Sequence, residues 1–154
     1  MIKVNVISEE KSWSKKIKKK ELLFDKITKY FPNKFKFLKQ KVYLTLLLSN
    51  NKKIKILNHK FRKKNKHTDV LSFPFEKKIL NKKKEFYLGD IIISFNYMND
   101  PKNLTNKEFT EKTVKIFIHG FLHLLGYDHI NDNDYKKMQT AEKNIFNKVK
   151  KLLN

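Results

Sequence analysis

Residues 118–129 read IHGFLHLLGYDH and bring together three histidines, His119, His123 and His129. No other stretch restricts the fold as much. His119 and His123 stand four apart, so on a helix both rings project from one face. A pair at that spacing lets one rigid element supply two metal nitrogens. Gly126 follows three residues later, where the chain must leave the helix and can take a positive φ. The reversal lets the backbone double back and carry His129 toward the other two rings. Three neutral imidazoles leave one tetrahedral position open, as in a catalytic zinc site; a closed structural site would want a fourth protein ligand. Asp128, beside the third histidine, either orients a ligand ring or faces solvent.

The remaining composition narrows what can join this cluster. There is no cysteine, which removes disulfides, thiolate zinc sites and cysteine nucleophiles together. A metal must therefore be held by histidine and carboxylate. With 154 residues, 40% hydrophobic and 13% aromatic, residues 1–154 are expected to form a single domain with one sizeable core. The opening MIKVNVISEE turns acidic where a signal peptide needs its apolar centre. The longest apolar run, Val42 to Leu48, is too short to span a bilayer. A soluble cytoplasmic protein with no membrane partner and no small-molecule cofactor is the expectation.

A net charge of +21 points to a polyanionic partner, of which nucleic acid is the commonest. Abundant lysine, asparagine, isoleucine and phenylalanine are also what an AT-rich coding sequence produces. Lysine runs such as KKIKKK, Lys15 to Lys20, commonly form solvated helix faces. One feature stands apart from this bias: Arg62 is the single arginine among 36 basic residues. Its planar fork can grip two phosphate oxygens at once, which an ammonium cannot. A buried salt-bridge arginine is the other reading.

The periodicities predict an α+β fold, a small mixed sheet of about four strands with helices packed against it. Val4–Ile7 reads as a first strand, and Trp13 to about Tyr30 as a helix turning Ile17, Leu22, Leu23 and Ile27 inward. Lys41–Leu48 reads as an interior strand. Asn50 or Asn51 caps a short helix with Ile54, Leu57 and Phe61 on one face. Asp69–Phe73 runs into Pro74 and reads as a strand near an edge. An exposed loop or hairpin is expected over Lys77–Lys84, a strand over Leu88–Ser94 and a turn at Asn99–Lys102. Thr105 with Glu108 has the capping-box form and opens a helix leading into the histidines. Asn131 or Asp132 caps a last helix with Tyr135, Met138, Ile145 and Val149 inward.

The spacing His-x3-His-x5-His, with glycine between the last two, matches that of the metzincin proteases. Those carry a glutamate directly after the first histidine as general base. Here that position is Gly120, so no carboxylate is offered to shuttle a proton to a leaving amine. Phosphodiester cleavage asks instead for a metal and a cation steadying charge on phosphorus. Arg62 is the candidate cation, within LNHKFRKKNKHTDVLSFPF, Leu57 to Phe75. Lys60, Lys63, Lys64 and Lys66 surround it with non-specific phosphate contacts, and the edge strand can line a groove for single-stranded substrate.

HGFLHLLGYDH at 119–129, with NHKFRKKNKHTDVLSFPF at 58–75 and LGDIIIS at 88–94, closely resembles the YbeY family of bacterial endoribonucleases. The likeness runs roughly from Val42 to Ile145. It implies a zincin-like fold with a metal-binding helix, and one zinc ion per chain bound by His119, His123 and His129. A functional role for Arg62 follows from the same likeness. So does single-strand-specific RNA cleavage that helps form the 3′ end of small-subunit (16S) rRNA. The implied partners are precursor rRNA, the small ribosomal subunit and assembly factors, with a place in ribosome quality control. His67 stands where the family usually has proline and reads as a surface residue. No protein base is assigned beside a zinc-bound water. The choice between zinc and nickel stays open, since three imidazoles accept either. Two other functions compete: a zinc-stabilised assembly factor without catalysis, and a metalloprotease-like hydrolase of unusual mechanism.

Overall fold

The computed structural model describes residues 1–75 and 84–154. Four strands form one sheet: β1 (Ile2–Ser8), β2 (Lys41–Ser49), β3 (Val70–Pro74) and β4 (Glu85–Ser94). Their order is β1-β2-β4-β3. β1, β2 and β4 run parallel, and β3 lies antiparallel to β4 at the edge. The mixed sheet expected from the sequence is therefore present, with KVYLTLLL in its interior. Alternation along β2 explains that place: Val42, Leu44, Leu46 and Leu48 are all fully buried on one face. The loop or hairpin expected at Lys77–Lys84 falls, save Lys84, outside the described residues.

Helices α1 (Ser12–Lys16), α2 (Lys20–Lys29), α5 (Asn106–Leu124) and α6 (Asp132–Val149) contribute to the main core, which they share with that face of the sheet. α5 is the central one, with Phe109, Phe117 and Phe121 wholly buried. Phe24 meets Phe117 at 4.9 Å between ring centroids, and Phe31 meets Phe121 at 5.2 Å. Trp13 packs edge-on to Phe109 and donates its indole N–H to the Ser49 carbonyl at 3.0 Å. That bond satisfies the one polar atom of a buried ring. On the opposite face α3 (Asn51–Arg62) covers a smaller cluster of Ile54, Leu71 and Ile92. None of the described helices is long and apolar enough to cross a membrane.

Several expectations need correction. The helix drawn from Trp13 to Tyr30 is two helices, because Ile17 is extended and turns its side chain into the core. Lys20 folds back so that its ammonium reaches the Ser14 hydroxyl at 2.8 Å, closing the break. Leu22, Tyr135 and Phe61 are more than half exposed rather than inward. Each lies at the rim of an apolar stripe, where helical spacing alone cannot separate a covered position from an open one. A short helix, α4 (Phe95–Met98), follows β4 directly and was not foreseen.

All three foreseen caps form, that of α6 through the Asn131 side chain, which accepts from the Asp134 N–H at 2.9 Å. The Asn50 side chain accepts from the Lys53 N–H at 3.0 Å and starts α3. At α5 the capping box is complete, with the Glu108 N–H donating to the Thr105 hydroxyl and the Glu108 carboxylate accepting in return. The Thr105 backbone N–H, then its hydroxyl, hold the Glu108 carboxyl below its ordinary value. Thr105→Ala is expected to lower stability by about 1 kcal/mol, read by urea denaturation. It acts on the far end of α5 from the histidines, so metal uptake should be unchanged.

Candidate metal centre

The last turn of α5 is built to end abruptly. Gly126 has φ +90°, its N–H bonds the His123 carbonyl at 3.0 Å, and the Tyr127 N–H bonds the Leu122 carbonyl at 3.0 Å. This pair of bonds is the Schellman motif, which needs a left-handed residue at that position. The reversal carries His129 back beside the helix: its ring centroid lies 5.7 Å from that of His119 and 5.2 Å from that of His123. One ligand nitrogen from each of the three falls within 4.8 Å of the others. The sequence-predicted trio is therefore one cluster.

The hydrogen bonds decide which nitrogen each ring of α5 presents. His123 Nδ1 lies 2.9 Å from the Tyr127 carbonyl, which can only accept, so Nδ1 carries the proton. His119 Nδ1 lies 2.5 Å from Oε1 of Glu142 on α6, with the same consequence. Both Nε2 atoms are then left as lone pairs, and they face each other at 3.0 Å. Two acceptors that close repel unless a cation lies between them. Two nitrogens on one tetrahedral ion with bonds of ~2.0–2.1 Å would stand ~3.3 Å apart. The donor set fits a divalent metal. Burial, then the neighbouring His119, holds the His123 pKa below its ordinary value, so the ring is neutral and ready to ligate near pH 7.

Asp128 is exposed, as the solvent-facing alternative had it. Its carboxylate accepts from the backbone N–H of His129 at 2.8 Å and so fixes the loop, not a ligand ring. The residue that orients a ring is Glu142, which the sequence reading missed. It lies 23 positions beyond His119, on the last helix, of which only the cap and the inward apolar residues had been read. Its signal was its place beside Ala141, on the border of the buried stripe Met138, Ala141, Ile145 and Val149.

The cluster opens onto a cleft of about 900 Å³. One wall is the histidine turn from Leu124 to His129, and the other is β3 with Thr68, Asp69 and Arg62. Arg62 ends α3 and is exposed, so the reading of it as a buried salt-bridge residue falls. Among the described residues it makes no ion pair. Lys60 on the last turn of α3 is likewise exposed, as are Lys63, Lys64 and Lys66 on the loop that follows, which is pinned by the buried Asn58, whose amide donates to the Lys66 carbonyl at 2.8 Å. His67 stays out of the cleft lining: its Nδ1 pairs with the Tyr97 hydroxyl at 2.9 Å.

Gly120 has a packing reason. A Cβ there would sit 2.9 Å from Ile91 Cγ2 and 3.0 Å from Ser72 Oγ, and the Ser72 hydroxyl donates to the Gly120 carbonyl at 3.0 Å. The bare backbone lets α5 lie hard against β3 and β4, which puts the histidines at the sheet edge. The position that holds a glutamate in metzincins is here filled by Ser72. Gly120→Ala is expected to cost about 1–3 kcal/mol through overpacking and to reduce bound metal, checked by denaturation and elemental analysis of the same sample.

Comparison with known proteins places this site in company. A family model described as Endoribonuclease YbeY matches residues 6–150. The Endoribonuclease YbeY of Pelagibacter ubique is 60% identical over 150 residues, covering 97% of each chain. That of Ehrlichia canis is 35% identical over 145 residues, covering 94% of this chain and 85% of the other. A solution structure from Thermotoga maritima superposes with a TM-score of 0.56 at 27% identity, covering 95% of this chain and 88% of that one.

Proposed function

The chain belongs to the YbeY endoribonuclease family, and from that premise we propose a zinc-dependent, single-strand-specific endoribonuclease that matures the 3′ end of small-subunit (16S) rRNA. The observation that carries the metal-dependent part is the trio of imidazole nitrogens within 4.8 Å, opening onto a cleft that Arg62 lines. His119, His123 and His129 would hold one zinc ion per chain. Bound there, the ion supplies Lewis acidity toward a phosphoryl oxygen and makes water a stronger acid. The chain's own residues do the rest. Arg62 grips the charged phosphate from the opposite wall, and a planar fork does this in a way an ammonium cannot. Lys60, Lys63, Lys64 and Lys66 draw the polyanion toward that wall, an attraction that weakens steeply with salt. No side chain is assigned as general base. Products carrying a 5′-phosphate would implicate water as nucleophile, and a 2′,3′-cyclic phosphate the ribose hydroxyl.

The edge strand argues against the metalloprotease-like alternative. Ser94 N–H bonds the Asp69 carbonyl, and Phe75 N–H bonds that of Leu88. By the alternation of an antiparallel ladder, the backbone groups of Val70, Ser72 and Pro74 then point outward. Val70 N–H is already taken by its neighbour, the Asp69 carboxylate, at 2.8 Å. Pro74 has no N–H at all. Only Ser72 keeps an outward donor, so an extended peptide finds little to pair with along this edge. A polynucleotide needs no such ladder.

We place the activity in the cytoplasm, on precursor rRNA in the setting of the small subunit and its assembly factors. Protein purified without an affinity tag should carry about one equivalent of zinc, and cleave unstructured RNA while leaving denatured casein intact. Removal of the metal with a chelator should abolish cleavage, and zinc should restore it. His123→Ala should lose cleavage while keeping its fold and its affinity for RNA. Unimpaired cleavage by that variant would instead favour the non-catalytic, zinc-stabilised assembly factor. Arg62→Lys should slow cleavage roughly 10²-fold, the scale of losing one stabiliser of developing charge; undiminished turnover would remove the bidentate grip.

A further inference from the structure

The C-terminal helix touches the metal centre through one carboxylate, and that contact has no counterpart among the described residues. Among the described residues, His119–Glu142 is the one close contact between a basic and an acidic side chain, in a chain with 36 lysines and arginines against 15 acidic residues. Glu142 has Lys143 beside it in sequence, yet its Oε1 is aimed at an imidazole nitrogen 2.5 Å away. The pair is about one third exposed, with side chains 28% and 33% accessible. The rest of the inner face of α6 is apolar, with Met138, Ala141, Ile145 and Val149 buried in the core. Nothing in that packing requires a carboxylate next to Ala141. His123, the other α5 ligand, is held by a neutral carbonyl from its own turn.

We infer that Glu142 is a positioning residue for the metal centre: it fixes His119 with Nε2 as a lone pair, makes that ring the more strongly donating of the two on α5, and ties the docking of α6 to metal occupancy. The inference rests on the metal-centre reading given above. Without the carboxylate, the His119 ring is free to turn about its side-chain bonds and to carry its proton on either nitrogen. Both freedoms must be given up each time a metal binds, so affinity falls. A carboxylate also leaves the imidazole a better donor than a carbonyl does. In the other direction, a metal that draws on His119 tightens the hydrogen bond to Glu142, and with it the middle of α6.

Zn2+ affinity of the metal-free protein, measured by competition with a chromophoric chelator, tests this directly. Glu142→Ala should weaken Zn2+ binding about 10- to 100-fold, and Glu142→Gln, which keeps the shape and an accepting oxygen, should fall between it and wild type. Two further readouts separate positioning from a merely structural role. Ring nitrogen spectra of the metal-free protein should show His119 as the Nδ1–H tautomer in wild type and as a mixture in Glu142→Ala. Zn2+ should slow amide exchange along α6 in wild type and not in Glu142→Ala. Should Glu142→Ala fail to fold, the Gln variant decides by the same measurements. Wild-type affinity in both variants would overturn the role of Glu142 while leaving the metal centre standing. Failure of the wild-type protein to bind Zn2+ would remove the centre and this inference together.

Discussion

Everything at this site depends on imidazoles that turn lone pairs toward one point, as those of His119 and His123 do, with His129 brought alongside. A neutral histidine can do so in a fixed direction only if its other nitrogen is tied down. The chain solves this locally for His123, where the turn at Gly126 both ends the helix and delivers the Tyr127 carbonyl to Nδ1. It solves it at long range for His119, through Glu142 on the last helix. For His129 the loop is set by the Asp128 carboxylate on the backbone. A helix stop, a distant carboxylate and a loop bond thus serve one electrostatic requirement. The rest of the fold can be read as the frame that holds those three devices in register.

That frame is the contact between α5 and the sheet. The fully buried aromatics Phe109, Phe117 and Phe121 seat the helix on the core. Gly120 then removes the side chain that would hold its last turns away from β3. The close approach places the histidines at an edge strand whose outer wall carries Arg62. Packing and chemistry are linked here by the absence of a methyl group. The same absence makes the comparison with metzincins informative. In those proteases the residue after the first histidine works on water, whereas here its place is a contact surface already filled by Ser72.

Much of this was legible from residues alone, and the reasons for success differ by element. His119, His123 and Gly126 are encoded within a few residues of each other, so local geometry suffices to bring them together. The caps at Asn50 and Thr105 are likewise local, as is the alternation that buries β2. What could not be read is what depends on two distant segments meeting. Glu142 becomes meaningful only when α6 is laid against α5. Gly120 looks like a missing base until Ser72 and Ile91 are known to lie over it. The break at Ile17 is similar, since helical spacing continues across it and only the tertiary position of the side chain ends the helix. The family resemblance supplied the expectation of zinc and of an rRNA substrate, while Arg62 had already stood out as the single arginine; the geometry adds the cluster, the open cleft and the wall on which Arg62 stands.

The charge of the chain can now be divided by place instead of counted. Lysines such as Lys15, Lys26, Lys29, Lys52 and Lys55 lie exposed on helices, a pattern that an AT-rich coding sequence also produces. Those at 63, 64 and 66 differ because a buried asparagine organises their loop directly after Arg62, which lines the cleft. Asn58 is 1% exposed, and its amide reaches over the loop to the Lys66 carbonyl. Burying an amide to shape a stretch of surface lysines costs desolvation that a purely solvated run would not require. The order imposed there, and not the total of +21, is what ties basic charge to the cleft. Arg62, the last residue of α3 before that loop, lines the same cleft as the three histidines.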